Sequence, residues 1–276
     1  MSKTASANNP HSADSIELRH CKEIAEFQAC VNLQKEVWNF SDADLIPVRM
    51  FVVAGKIGGQ IIGAFDGATL VGFALSIPGA RNGNAYLHSH MLAVRDQYRN
   101  LGLGRRLKLA QRDEALTRGF ELMEWTFDPL EIKNAYLNIE KLGAIVRRYT
   151  LNQYGTSSSP LQGGLPTDRC VAEWWLSSKR VTELLEQGVR PQVDPEKTIT
   201  VPAEIYEWKS DAANRDRARE VQLANRQQFL NAFSSGLAVL GYRRDEKGKG
   251  SFLLASPQEK FEFTIVPERE AEPSCR

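Results

Sequence analysis

Apolar residues recur along this chain at either helical or alternating spacing, and the switches between the two outline its elements. After a polar stretch over residues 1–15, IELRHC (16–21) alternates as a short strand does. KEIAEFQACVNLQKEVW (22–38) then places Ile24, Phe27, Val31 and Val37 at helical spacing. Ser41 or Asp42 can cap a second helix, expected to run to about Gly58. The period next falls to two: QIIGAFDGATLVGFALSIPG (60–79) is a pair of apolar runs around Asp66-Gly67, the turn chemistry of a β-hairpin. AYLHSHMLAV (85–94) supplies another strand after the loop Arg81–Asn84. A helix from about Gly104 to Arg118 follows, then the strand ELMEWTF (121–127), stopped by Asp128-Pro129, and a helix over about Ile132–Leu142 that Gly143 ends. VRRYTLNQYG (146–155) and CVAEWWL (170–176) add one or two strands around a Gly/Ser/Pro-rich loop at 155–168. An antiparallel start with a parallel crossover through residues 94–121 predicts an α/β or α+β sandwich.

Past residue 176 the pattern thins. Pro191, Pro195 and Pro202 mark a linker-like passage, and Asn214–Phe233 reads as a heavily charged helix. Tyr242-Arg243-Arg244 and SFLLAS (251–256) suggest a hairpin around the GKG at 248–250. The expected organisation is a flexible leader (1–15), a domain over 16–176, a C-terminal helical and hairpin extension over 177–268 docked on it, and a flexible tail (269–276).

Composition narrows the chemistry. A chain of 276 residues that is 42% hydrophobic and 25% charged can bury a full core, and a net charge of +1 points away from nucleic acid or an anionic membrane as partner. Cys21, Cys30, Cys170 and Cys275 have neither CxxC spacing nor a nearby histidine, so neither a zinc site nor a disulfide framework is expected, and the usage fits a reducing cytoplasm. The first fifteen residues lack an apolar segment, and no later run approaches the roughly 20 apolar residues of a membrane helix, so no export signal or span is expected.

The stretch HSHMLAVRDQYRNLGLGRRLKLAQ (88–111) concentrates the candidate chemistry. Arg99-Asn100-Leu101-Gly102-Leu103-Gly104 lies between a strand and a helix, where free N–H groups at the helix start face outward. Glycines there let the main chain approach a diphosphate, the helix dipole favours an anion, and Arg99, Arg105 and Arg106 can neutralise phosphate oxygens. Ordinary strand-to-helix turns also carry two glycines, so the loop alone leaves both readings open. A dinucleotide fingerprint would need a third glycine and an acid about 20 residues on, and a Walker loop would end in Gly-Lys-Ser/Thr. Neither is present.

In this frame the chain resembles the GNAT superfamily of acyl-CoA-dependent N-acetyltransferases. That family carries Arg/Gln-x-x-Gly-x-Gly/Ala after a strand ending in an apolar pair and Val, and Val94, Arg99, Gly102 and Gly104 fall in that frame. A second motif agrees: Asn134 opens the helix after the fifth strand and Gly143-Ala144 closes it. The resemblance covers roughly residues 16–176. It implies a mixed, mostly antiparallel sheet flanked by helices, with acetyl-CoA as donor and no metal. It also implies that Leu92, Ala93 and Val94 meet the pantetheine arm through the main chain in a gap between the fourth and fifth strands. Arg99, Asn100, Leu101, Gly102, Leu103, Gly104 and Arg105 then hold the diphosphate, and Asn134 belongs to the same cofactor site. Family members often place a tyrosine four residues before the glycine of the second motif, to protonate the leaving thiolate. Here that position is Ile139, with Tyr136 one turn earlier.

His88 and His90, two apart on a strand, are expected to share a face with Leu92 and Val94. An acetyl transfer to nitrogen needs the amine unprotonated, and imidazole, with a reference pKa near 6.5, suits that proton. The His-x-His spacing resembles the arylalkylamine branch of the superfamily, which implies a proton relay. The bland alternative is hydrogen-bonded core histidines. Asp128 either caps the Pro129 turn or attracts a cationic amine, and Glu124 is a candidate of the same kind. Trp125 and Phe127 read as core. Lys108 and Arg112 read as solvated helix surface, or one reaches the 3′-phosphate of CoA. The acceptor expected is a small-molecule or peptide amine, with a second copy of the chain as the candidate protein partner. The competing reading is a non-catalytic acyl-CoA-binding sensor.

Overall fold

The strands follow the apolar runs closely. The computed structural model describes residues 15–263, so Cys275, the tail 269–276 and all but the last residue of the leader 1–15 lie outside the described residues. Its strands are β1 (Ile16–His20), β2 (Gln60–Asp66), β3 (Thr69–Arg81), β4 (Asn84–Val94), β5 (Leu122–Phe127), β6 (Ile145–Thr150) and β7 (Arg169–Trp175). β8 (Lys197–Val201), β9 (Ala238–Arg244) and β10 (Gly250–Ala255) complete them. All ten join one sheet in the order β1-β2-β3-β4-β5-β7-β6-β9-β10-β8. Every neighbouring pair is antiparallel except β4 and β5. The mixed, mostly antiparallel sheet flanked by helices is the architecture the resemblance implied.

Local chemistry accounts for the turns. β3 and β4 pair as far as Arg81 with Asn84, leaving Asn82 and Gly83 in a two-residue turn with φ of 51° and 79°. Positive φ at both positions is what such a hairpin turn demands, and Asn-Gly tolerates it at least cost. Helix α1 (Ile24–Trp38) opens on a capping box between Glu23 and Glu26. The second helix departs from expectation. Ser41 precedes only a short 3₁₀ turn over Asp42–Asp44, and α2 (Val48–Lys56) starts after Pro47. A proline disfavours helical geometry in the residue before it, here Ile46, so the helix cannot begin upstream. Helix α3 (Leu103–Thr117) links β4 to β5, and α4 (Ile132–Ala135) runs on as a wider π turn over Tyr136–Lys141.

Two faces of the sheet are covered differently. On one, α1 and α2 seal β1–β4 around Phe27, Phe51 and Phe73. On the other, α3 packs on β2–β4 through Leu103 and Leu107, and α4, α5 (Lys179–Glu186), α6 (Ile205–Ser210) and α7 (Arg215–Ser234) lie over the remaining strands. One continuous core there takes Met123 and Trp174 from the middle strands, Ile139 from the π turn, and Phe229 and Phe252 from the C-terminal segment. The segment after residue 176 thus extends the same sheet. β9 joins β6 at one pair, Val146 with Val239, and the Tyr242 N–H donates to Glu140 Oε1 at 2.8 Å.

Phe252 is fully buried, edge-on to Phe229 and Tyr242 at 5.1 and 4.7 Å between ring centroids. Phe252→Ala should cost about 3–5 kcal/mol, the usual range for deleting a buried aromatic ring, measured by denaturant unfolding. A loss under about 1 kcal/mol would mean that the C-terminal strands do not share this core.

Candidate active site

Strands β4 and β5 pair at Leu87 with Met123 and at His88 with Glu124. Beyond these, β4 continues along β3 to Val94 while β5 continues along β7 to Phe127, and a gap opens between them. The cause lies in β4. Ser76 pairs with Ser89 and Leu75 with Met91, so His90 is an extra residue, a β-bulge, which bends and twists the strand away. The bulge also resets which way side chains point. Leu87 packs with Ala115 and Trp125, and Ser89 donates to Gln111 Oε1, both toward α3. After the bulge, Met91 and Ala93 join the Phe51–Phe73 core, while Leu92 and Val94 pack on Leu103 and Leu107 of α3. The expectation that His88 and His90 share a face with Leu92 and Val94 therefore fails. Strict alternation does not survive an inserted residue.

A cavity of about 530 Å³ fills the gap and reaches both sides of the sheet. Ser89, His90, Met91 and Leu92 line it from β4, Trp125, Thr126 and Phe127 from β5, Lys108 from α3, and Asn134, Leu137 and Asn138 from α4 and its π turn. Its roof is two loops that meet. Between α1 and α2, Phe40, Asp44 and Ile46 line the cavity beside Trp38, the last residue of α1, and Tyr154, Ser159 and Leu161 line it from between β6 and β7. The loops are tied where the Ser41 N–H donates to Ser158 Oγ at 3.0 Å and Ser159 Oγ donates to the Trp38 carbonyl at 2.8 Å.

The two histidine rings lie 6.0 Å apart. Burial above all pulls His88 down to about 4, helped by Arg148 and by His90 and Lys108 in whatever measure they are protonated, and desolvation lowers His90. Both imidazoles are held neutral, and of the two His90 lines the cavity. Trp125 and Phe127 are buried core that also forms cavity wall.

The glycine loop abuts this cavity at the start of α3. Gly102 sits in the left-handed region at φ 75°, no side chain caps the helix, and the N–H of Arg106 is bonded to the Gly102 carbonyl. By helix geometry the amides of the first turn have no intrahelical acceptor. A Cβ on Gly102 would meet nothing within 4 Å, and one on Gly104 would lie 3.7 Å from Leu92 and 3.9 Å from Leu137, both cavity residues. Asn100 and Arg99 are exposed, Arg99 being paired with Asp96, and Arg105 is half-buried with its Nε 3.5 Å from the Lys141 carbonyl. Leu101 and Leu103 pack into the α3 core, and Arg106 donates to the Ile16 carbonyl at 2.8 Å. Of the expected cofactor and catalytic residues, Leu92, His90 and Asn134 line the cavity, whereas His88, Ala93, Val94 and residues 99–105 do not.

Four expectations change. Asp128 lines the cavity, but its carboxylate accepts from the Leu130 N–H at 2.8 Å and from Lys209 Nζ at 2.9 Å, and Lys209 also reaches Glu131 at 2.8 Å. It caps its turn and is neutralised by the C-terminal segment. Glu124 is buried in an ion cluster with Arg81 and Arg148, while Glu173 beside it pairs with Arg147 and Arg148. It does not line the cavity. Lys108 and Arg112, expected on the solvated surface, are 2% and 8% exposed. Arg112 Nε donates to the Leu176 carbonyl, and Lys108 points into the gap. Lastly, Ile139 is fully buried in core and Tyr136 lies under Lys141 and Arg244, so neither reaches the cavity.

Sequence reasoning also missed Asn138, buried in the cavity wall with its Nδ2 unpartnered. Its place four residues, one turn, after Asn134 was the available signal. Nothing in the spacing of residues 38–46 or 154–169 marked them as a roof, since their proximity is purely tertiary. Among the described residues no group of three or more His, Cys, Asp or Glu side chains could hold a metal, and no helix is long and apolar enough to cross a membrane.

No curated protein matches the chain in sequence. Solved structures similar to it include the ribosomal-protein-S18-alanine N-acetyltransferase of Escherichia coli, at 16% identity and TM-score 0.47, covering 59% of this chain and 95% of that one. Another is yncA, a putative acetyltransferase from Salmonella typhimurium solved with its cofactor acetyl-CoA, at 16% identity and TM-score 0.49, with 59% and 95% coverage. A third is Arabidopsis thaliana Naa50 in complex with the bisubstrate analogue CoA-Ac-MVNAL, at 16% identity and TM-score 0.46, with 58% and 97% coverage. The family model "Acetyltransferase (GNAT) family" matches residues 22–137, the stretch that holds β4, the glycine loop, α3 and β5. Residues 22–137 therefore belong to the GNAT acetyltransferase family, whose acetyl donor is acetyl-CoA.

Proposed function

We propose that the protein transfers an acetyl group directly from acetyl-CoA to a primary amine, with the thioester in the gap between β4 and β5 and His90 as the base. One observation carries the reading: the two strands part after two residue pairs, directly beside a helix start whose amides have no capping side chain. The arm and the diphosphate of CoA form one continuous ligand. The β5-facing main chain of residues 89–94 offers it strand-like partners, and the loop 99–105 offers amide donors and a favourable helix dipole. The unpartnered Asn138 Nδ2 is a donor suited to an amide carbonyl of the arm.

The acceptor enters under the roof. Trp38, Phe40, Ile46, Tyr154 and Leu161 give apolar walls, while the carboxylates of Asp44, Asp128 and Glu131 are each already bonded. These walls suit an amine on an apolar or aromatic body, small molecule or peptide, better than a polycation. His90, kept neutral by desolvation, takes a proton from the incoming ammonium, and His88 beside it extends the path.

Two expectations follow. Gly104→Val places a branched side chain where the donor's phosphates approach, so calorimetry should show CoA affinity reduced at least about 10-fold in a variant that still melts like wild type. Unchanged affinity in that folded variant would remove the loop from the site. For the base, His90→Gln should leave CoA affinity intact and lower the rate of amine-dependent thiol release by about 10²-fold at pH 7. The wild-type rate should fall only as pH drops through the lowered imidazole value, below the ordinary 6.5 or so, whereas the variant should regain rate as pH rises and the amine deprotonates unaided. A panel of tryptamine, spermidine and an alanine-initiated peptide supplies the acceptors. Tight CoA binding with no thiol release above background from any amine would favour the sensor reading instead.

A further inference from the structure

Lys108 is the anomaly of this site. It is 2% exposed, forms no ion pair among the described residues, and its ammonium form would stand uncompensated in the interior. Such a charge is costly, and the ordinary escape is loss of the proton. Its position is equally specific. Lys108 Nζ lies 2.6 Å from Ser89 Oγ and 3.7 Å from the centroid of the Trp125 ring. Ser89 and Trp125 are the residues that follow the last paired positions, His88 and Glu124, on the two strands. The amine therefore bridges β4 and β5 at the apex of the gap and lines the cavity there.

The bonding around it fixes what the nitrogen can do. Ser89 Oγ spends its only proton on Gln111 Oε1 at 3.0 Å, so toward Lys108 it is an acceptor. The face of the Trp125 ring is likewise an acceptor, of N–H or of positive charge. Both neighbours therefore take N–H groups from Lys108, and neither uses the lone pair that a neutral amine would keep. That lone pair is left for the cavity.

We propose that Lys108 carries the proton that the acceptor nitrogen loses on acylation to the departing sulfur of CoA. This rests on the reading that the gap holds the acetyl thioester. Two protons must leave an ammonium acceptor. His90 takes the first, before attack. After the N–C bond forms, the second passes to the Lys108 lone pair. As the C–S bond breaks, its electron pair stays on sulfur, and the Lys108 ammonium, steadied for that interval by the Trp125 face, gives its proton to the thiolate. The lysine returns to its neutral form, which burial favours. The groups in contact with it are Ser89 on β4 and Trp125 on β5, with Gln111 of α3 behind Ser89, and His90 lines the same cavity. The carboxylates that line this cavity, Asp44, Asp128 and Glu131, are bonded to Ser158 and Lys209, and none pairs with Lys108 among the described residues.

Hydroxylamine, already neutral at pH 7 and too small to need the acceptor walls, separates the two proton steps. With acetyl-CoA and hydroxylamine, His90→Gln should release thiol within about 3-fold of wild type. Lys108→Met should lose about 10²-fold, with CoA affinity by calorimetry unchanged. Lys108→Arg, which keeps the charge but cannot release it, should lose as much. Near-wild-type turnover in Lys108→Met, or rescue by Lys108→Arg, overturns the relay. In wild-type protein, NMR of the lysine Cε and Nζ should show Lys108 neutral at pH 8, and titration with the bulk lysines near 10.4 would also overturn it. A wild type that binds CoA yet releases no thiol to hydroxylamine above the spontaneous rate fails the acetyl-transfer reading, whatever the NMR result.

Discussion

A strand edge left unpaired inside a protein must be satisfied by water or by a ligand, since a buried amide or carbonyl without a partner costs about 1–3 kcal/mol. Here the edge is made by one inserted residue. His90 bulges out of β4, the pairing with β5 ends at His88 and Glu124, and the main chain from Ser89 to Val94 faces a gap. Around that parting the molecule places α3 with its open amides, the α4 turn with Asn138, and two loops tied over the top.

Charge is arranged by the same geometry. Acids near the gap are paired from a distance: Asp128 and Glu131 with Lys209, Asp168 with Arg226, and Glu124 and Glu173 with Arg81, Arg147 and Arg148. Two of these cations, Lys209 and Arg226, come from the C-terminal segment, so that segment sets the electrostatics of a site built by the first 176 residues. Two basic side chains in the cavity wall have no acidic partner among the described residues, His90 at the bulge and Lys108 at the apex, and burial lowers the pKa of both. Removing Lys209 alone would leave Asp128 as an uncompensated buried charge, which explains why a lysine 81 residues away in sequence matters to the cavity wall.

The sequence disclosed whatever is local. Asp66-Gly67 and Asn82-Gly83 announce their turns, the helical spacing of Ile24, Phe27 and Val31 announces α1, and Gly102 and Gly104 announce the helix start that can receive a phosphate. Properties that depend on distant contacts stayed hidden. The bulge at His90 has no composition signal, because a histidine in an apolar strand looks the same paired or extruded. Lys108 occupies a position that reads as a solvated helix face until β4 and β5 close over it. The turn cap was one of the two roles open to Asp128, and the amine-attracting role stayed open for it and Glu124 because their partners, Lys209 and the arginines of β3 and β6, are separated from them in sequence. The late start of α2 is local after all: Pro47 keeps Ile46 out of helical geometry, which overrides the capping chemistry of Ser41 and Asp42.

Hydrogen exchange read by mass spectrometry, with and without saturating CoA, tests the central claim most directly, since it reports on the very amides the parting leaves open. The account predicts slowed exchange over residues 91–94 and 101–105 on adding CoA, with β9 and β10 unchanged. Measurable CoA binding with no change over residues 91–105, and protection elsewhere in the chain, would contradict it.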